Sequence, residues 1–415
     1  MRMAIWSAIV SVWAECSGKS AVRDPDVVID VIDIGSTDFS PQISWSICHE
    51  NLFNDYVDLL LPPGHLSVKQ PMDTVDFKSL IRLDQLGGRG CTTLVYAPSD
   101  PQSQFVFKGI DFRTFLNSYE SGHIGEEVKI YYRSVELVSN MPCHPNIMPP
   151  AQTLITICKP GDDTPFVCGS LYPFFPNGSL AGHIEKNNES NERISLSYKA
   201  QWCYQMAAAI AHTHFVVHTY HMDIKPGNFL LDADYNIMLI DWEQSDAPVA
   251  TAAPEIDSTL DVEEIPADGL TPALRYTKYT GPERRNMPMT TPGDNGWNVW
   301  NVFLVWSKQC PRALELAEVF SLGRTMWMLL RQPEMNTFKD VMSTDEVVED
   351  WKSSEDIPAH WRHAVQDCLK HDPNERIGLC ELVAFWDNAR HEMNESSENS
   401  IGHICGTVYR SPVIL

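Results

Sequence analysis

His221-Met222-Asp223-Ile224-Lys225-Pro226-Gly227-Asn228 places a carboxylate, an amine and a side-chain amide within one short loop, and Asp241 follows a hairpin pattern downstream. The hairpin is read from two β-rich runs, Phe229-Leu230-Leu231-Asp232 and Ile237-Met238-Leu239-Ile240, on either side of the turn Asp234-Tyr235-Asn236. Folding back at that turn returns Asp241 to the neighbourhood of Asn228. Two carboxylates, an ammonium and an amide oxygen then converge from two loops.

Phosphoryl transfer needs such a set. A carboxylate must orient the attacking hydroxyl, charge on the moving phosphoryl must be neutralised, and magnesium needs hard oxygen ligands. Asp223 is the candidate for the first task and Lys225 for the second, while Asn228 and Asp241 are the candidates for the metal. Upstream, strand patterns from Ile81 to Lys108 enclose a glycine-rich turn, and the run Gln104-Phe105-Val106-Phe107-Lys108 ends in a lysine.

Together these pieces resemble the eukaryotic-type protein kinase family over roughly residues 81 to 390. The resemblance implies an α+β, two-lobed protein kinase-like fold. A small β-rich N-lobe would span about 81–175 and a larger helical C-lobe about 176–390. Leu86-Gly87-Gly88-Arg89-Gly90-Cys91-Thr92-Thr93-Leu94-Val95 resembles the loop that covers ATP phosphates, with Gly88, Gly90 and Val95 as nucleotide-binding positions and Thr93 where a third glycine is usual. Lys108 corresponds to the lysine that pairs with the α- and β-phosphates. Tyr172 to Phe175, ahead of Pro176-Asn177-Gly178-Ser179, correspond to the adenine pocket, so Tyr172 and Phe174 join the cofactor-binding set. ATP and magnesium are the implied cofactors, and proteins the implied substrates. Lys225, two residues after Asp223, is similar to the serine/threonine class.

Two downstream pieces are structural in the family. Gly281-Pro282-Glu283 resembles the motif closing the activation segment, whose glutamate is expected to pair with Arg376 in Asp372-Pro373-Asn374-Glu375-Arg376. Glu318-Val319-Phe320-Ser321-Leu322-Gly323 resembles the start of the central helix, with Glu318 replacing the usual aspartate that caps the catalytic loop.

The sequence also departs from the family pattern. The helix expected over Gly125 to Asn140 should offer Lys108 a glutamate, but family spacing back from His144-Pro145-Asn146-Ile147 arrives at Ser134, with Glu127 and Glu136 as alternatives. Asp241-Trp242-Glu243 replaces Asp-Phe-Gly, which keeps the metal ligand and loses the glycine. Met222 stands where many kinases have the arginine that receives an activation-loop phosphate. A catalytically silent scaffold and a small-molecule kinase are the competing readings, and the second lacks the framework joined to Arg376.

Composition narrows the setting. Acidic residues exceed basic ones by 55 to 31, so a net charge of -24 opposes a sequence-independent grip on nucleic acid or anionic lipid. The eleven cysteines are scattered, without metal-site spacing, which suits a reduced cytoplasmic or nuclear protein. Met1 to Ala14 reads as a strand rather than a secretory leader, residues 1–80 as a β-rich extension, Asp246 to Gly269 as a mobile linker and 391–415 as a polar tail. No apolar run is long enough to cross a bilayer. The insert from 286 to 310, containing Trp297, Trp300, Phe303 and Trp306, is a candidate partner-docking segment.

Overall fold

The computed structural model describes residues 27–30, 42–45, 47–87, 92–97, 100–119, 122–245, 247–266, 272–281, 284 and 302–405. The expected strand at Met1 to Ala14 lies outside them. β1 (Val27–Asp30) and β2 (Gln42–Trp45) form an antiparallel pair of their own. The main sheet has six strands: β3 (Asp73–Asp76), β4 (Ile81–Gly87), β5 (Thr92–Ala97), β6 (Asp100–Gly109), β7 (Thr153–Ile157) and β8 (Phe166–Pro173), in the order β3-β7-β8-β6-β5-β4. Only β3 runs parallel to its neighbour, β7.

Three helices cover this sheet: α1 (Ile47–Asp58), α2 (Phe112–Tyr119) and α3 (Ile124–Asn140). In α3, Ile124, Val128, Tyr131, Val135 and Val138 recur at three- and four-residue intervals and are buried, as one apolar stripe requires. Glu126 and Glu127 sit in its first turn, where the helix dipole favours negative charge. Two phenols pin the helix to the sheet: Tyr131 shares a 2.6 Å hydrogen bond with Ser170, and Tyr132 donates to the Val167 carbonyl at 2.7 Å. Within the stretch read as a β-rich extension, α1 sends Tyr56 and Val57 into the same core as Phe107 and Phe115. Residues 47–80 thus supply this core with a helix as well as an edge strand.

The remainder is mainly helical, with α4 (Leu180–Glu189), α5 (Leu196–His212), α6 (Val302–Gln309), α7 (Pro311–Arg331), α8 (Ala359–Cys368) and α9 (Leu379–Cys405). Ser179 and Ser195 cap α4 and α5 by accepting from Gly182 and Tyr198 N–H groups, satisfying donors that a helix start leaves orphaned. α7 is buried without a break from Ala313 to Leu330, which marks it as a central helix. Trp202, Trp361 and Trp386 are fully buried in the core where α5, α8 and α9 meet. Two short hairpins complete the chain: β9 (Phe229–Leu231) with β10 (Ile237–Leu239), and β11 (Leu260–Ile265) with β12 (Ala273–Lys278).

Two sequence expectations change here. The stretch from Asp246 to Gly269, expected to be a mobile linker, has Thr251, Ala253, Glu255 and Ile256 buried and continues into β11. Its Ala, Pro and Asp content suggested a linker because composition carries no record of long-range packing. α9 likewise runs through the expected polar tail as far as Cys405. In the proposed docking insert, Phe303 and Trp306 are buried against Tyr220 and Tyr276, so these two rings serve packing; Trp297 and Trp300 lie outside the described residues. Among the described residues, no helix is long and apolar enough to cross a membrane.

Candidate active site

The loop 221–228 follows α5 after a π-helical turn at Thr213–Val217. It is held from below by α7. The Glu318 carboxylate accepts from the backbone N–H groups of His221 at 2.8 Å and Met222 at 2.6 Å, and its other oxygen meets His214 Nε2 at 2.7 Å. Met222 has φ 75°, in the left-handed region, so these bonds help fix a backbone shape that a non-glycine residue adopts at a cost. The replacement of aspartate by Glu318 therefore preserves the cap.

Burial alone would raise the Glu318 carboxyl, but the His214 hydrogen bond, the charge on that ring and the Met222 N–H outweigh it and hold the group below the ordinary carboxylate range. A depressed folded-state value stabilises the fold at neutral pH, and that stability fades as pH falls through the lowered value. Glu318→Gln is expected to cost about 1–3 kcal/mol at neutral pH. The gap between variant and wild type in denaturant melts should close as pH falls below the ordinary glutamate range and through the lowered Glu318 value. A gap independent of pH would show that the charge on Glu318 is not what matters.

The hairpin delivers Asp241 as the sequence suggested. Leu239 pairs with Phe229, and Ile240 N–H donates to the Asn228 carbonyl at 3.0 Å. His221 Nε2 lies 2.8 Å from the Ile240 carbonyl, tying the first loop to the second. Asp223 sits between Lys225 Nζ and the Asn228 amide nitrogen, each 2.7 Å from its carboxylate. Asp241, next in chain after Ile240, has φ 71° and forms an ion pair with Lys108 from β6. Lys108 Nζ also lies 3.0 Å from Glu243. Burial would lower the Lys108 ammonium, yet the two carboxylates more than compensate and hold it firmly protonated. Asp241 is in turn lowered: burial works against its charge and Lys108 overrides it.

A cavity of about 410 Å³ opens between the sheet and this loop pair. Its walls divide by chemistry. Leu86, Val106, Val138, Met148, Tyr172, Phe174 and Leu230 are apolar or aromatic, whereas Lys108, Asn228 and Asp241 are polar and adjoin one another, through the Lys108–Asp241 ion pair and the Ile240 N–H bond to the Asn228 carbonyl. Sites that bind small molecules share this division between apolar walls and a few placed polar groups. Tyr172 faces Val106 across the β6–β8 register, so both line the same face.

Most of the residues named from sequence meet here: Lys108, Tyr172, Phe174, Asn228 and Asp241 line the cavity, and Asp223 and Lys225 adjoin it through Asn228. Gly88 and Gly90 fall outside the described residues. Val95 is corrected: it is 1% exposed and packs in the core on the far side of the sheet. Leu94 pairs with Val106, a cavity residue. Side chains alternate along a strand, so the inward position is one residue away from where motif counting put it. The β4–β5 pair carries register irregularities at Arg82/Asp84 and Gln85/Gly87, of the kind that re-aim a strand.

Known proteins offer a comparison. Over 166 residues the chain is 33% identical to wall-associated receptor kinase-like 21 of Arabidopsis thaliana, matching 40% of this chain and 24% of that protein. It is 26% identical over 260 residues to protein kinase PINOID of Oryza sativa subsp. japonica, matching 62% of this chain and 49% of that one. L-type lectin-domain containing receptor kinase V.7 of Arabidopsis thaliana is 34% identical over 103 residues, or 24% of this chain and 14% of its own. The chain is similar to protein kinases. It spans at most about half the length of these relatives, and no family model matches it.

Arg376 is buried, and a buried guanidinium calls for a carboxylate partner. Sequence reading assigned that partner as Glu283, which lies outside the described residues. The structure pairs Arg376 with Glu255 instead, through two hydrogen bonds, the Nη2–Oε2 bond being 2.9 Å. The tripeptide Ala253-Pro254-Glu255 thus occupies the place expected of Gly281-Pro282-Glu283. Both carry Pro-Glu, so local sequence offers no ground for choosing between them. The remaining surprise is Glu243, which sequence reading had treated only as a lost glycine.

Proposed function

We propose that this chain is a magnesium-dependent protein serine/threonine kinase with a two-lobed fold, the sheet-bearing part serving as N-lobe and the helical part as C-lobe. The observation that carries this reading is the meeting of Lys108, Asn228 and Asp241 in the wall of a mainly apolar cavity, with Asp223 hydrogen-bonded to Asn228 beside it.

The residues present fit a metal–nucleotide complex. Asn228 engages its amide nitrogen with the carbonyl and carboxylate of Asp223, at 2.8 and 2.7 Å, which leaves its amide oxygen for a cation. Asp241 supplies a second hard oxygen ligand. Bound magnesium would neutralise phosphate charge as the γ-phosphoryl leaves ATP. Asp223 accepts a hydrogen bond from the incoming hydroxyl and aligns it, while Lys225 offsets negative charge near the acceptor. Lys108 holds the nucleotide phosphates. The apolar cavity, with Tyr172 and Phe174 toward the β8 end, encloses the base and excludes water from it. The scattered cysteines, free where they are described, suit a reducing compartment, cytoplasmic or nuclear.

The test is transfer of label from γ-radiolabelled ATP to a generic basic protein, the acceptor class that an acidic chain favours. Transfer is expected in magnesium and not in EDTA, and phosphoamino-acid analysis should find label on serine and threonine. Label confined to tyrosine would defeat the specificity assignment. No transfer by a folded protein that binds ADP would defeat the kinase reading in favour of a scaffold.

A further inference from the structure

The carboxylate partner of Lys108 is the point where this chain parts from the pattern it resembles, and the structure offers a substitute. On α3, the three side chains that sequence reading weighed are all otherwise committed or the wrong chemistry. Ser134 is buried at the cavity wall, where its hydroxyl donates to the Tyr131 carbonyl. Glu127 accepts from the Ser118 hydroxyl at 3.1 Å. Glu136 accepts from the Ser67 backbone N–H at 2.8 Å on the outer side of the helix. Among the described residues, the carboxylates paired with Lys108 are Asp241 and Glu243.

We infer that Glu243 is the positioning residue for Lys108, taking from the turn after Asp241 the role that a glutamate on α3 would otherwise fill. This rests on the phosphotransfer reading of the cleft. Asp241 cannot do both jobs well: a carboxylate that turns its oxygens to a metal loosens its hold on the ammonium, whereas Glu243 is two residues away and keeps its 3.0 Å contact.

The turn carrying Glu243 is pinned on both sides. Trp242 is buried and meets the His221 ring edge-on at 4.8 Å. Gln244, with φ 52°, donates its side-chain amide to the Tyr220 carbonyl and, at 3.2 Å, to the Thr219 hydroxyl. Glu243 itself is not among the residues with positive φ, so a side chain is accommodated there without backbone strain. A group held on a pre-set turn positions its partner at a lower entropic cost than one brought in by a moving helix.

The experiment is a double-mutant cycle read by fluorescent-ADP binding and by label transfer. Glu243→Ala is expected to weaken ADP binding by about tenfold, the effect of one hydrogen bond to a charged group. It should raise KM for ATP more than it lowers kcat. In a Lys108→Met background the same substitution should add no further loss, because Glu243 acts only through the lysine. Glu127→Gln and Glu136→Gln should bind ADP as wild type does. The inference is overturned if Glu243→Ala binds normally, if its loss persists undiminished in the Lys108→Met background, or if Glu127→Gln or Glu136→Gln carries the loss instead. A folded wild type that binds ADP without transferring label overturns the kinase reading but leaves the Lys108 cycle to be scored on binding alone. A wild type that binds no ADP overturns both.

Discussion

Asp223→Asn is expected to reduce kcat by about 10²–10⁴-fold, the range associated with a single positioned acid–base group. Asparagine matches aspartate in size and retains an oxygen that can accept from Lys225 or Asn228, so the loop 221–228 should keep its shape. What it loses is the negative charge that draws the acceptor hydroxyl into line. Asp223 does not line the cavity, whereas Asn228, Gly227 and Asp241 do. ADP affinity should therefore remain within about twofold of wild type, as expected when an interaction is lost only at the transition state. Initial rates with labelled ATP, together with ADP titrations, separate the two effects. Equal transfer by both proteins would remove Asp223 from the chemistry, and a parallel collapse of ADP binding would mean that the substitution had disturbed the loop.

What the sequence disclosed and what it withheld divide along the range of the interactions. The loop 221–228, the β9–β10 hairpin and the return of Asp241 to Asn228 were legible because the chain makes them within about twenty residues, through turn chemistry and strand alternation. Asp232 illustrates this: its carboxylate accepts from the N–H groups of Asp234 at 2.9 Å and Asn236 at 2.7 Å, the local bonding that makes Asp a turn former. The Glu318 cap was legible for a different reason. It lies 97 residues from His221, and only the motif in which it sits pointed to it. The cavity position on β5 was missed because motif counting fixes a place in the chain and not a face of the sheet, and one step along the strand puts Val95 on the face opposite Leu94. The partner of Lys108 was left open because a search confined to α3 could not see that the Asp241 turn folds Glu243 back toward β6. The tripeptide pairing with Arg376 was misassigned because 121 residues separate Glu255 from its partner, and nothing near either Pro-Glu records that contact.

Glu255→Ala is expected to be the most destabilising of the substitutions considered, by about 3–5 kcal/mol, because it strands a buried cation. The Glu255 and Arg376 side chains are 5% and 0% exposed. Arg376 also donates from Nη1 to the Leu316 carbonyl at 3.0 Å and from Nε to the Lys370 carbonyl at 2.8 Å, and its guanidinium lies 4.8 Å from the centre of the Phe320 ring. Those contacts fix the guanidinium in place, so it has no route to water once its counter-ion is gone. Shortened Arg376→Met with Glu255→Leu should recover much of the loss, since removing both charges leaves neither one unpaired. Glu283→Ala should stay within about 0.5 kcal/mol of wild type, because Arg376 already has its counter-ion in Glu255. Guanidinium midpoints and slopes for the four proteins decide the matter, and a Glu283→Ala loss as large as that of Glu255→Ala would return Arg376 to the partner inferred from sequence. Activity should follow stability here. Thr251, four residues before Glu255, donates its hydroxyl to the Ile224 carbonyl at 2.6 Å, so the segment that Glu255 anchors also buttresses the loop carrying Asp223. Loosening the anchor should slow transfer even at temperatures where the protein remains folded, and the doubly apolar variant should restore rate and stability together.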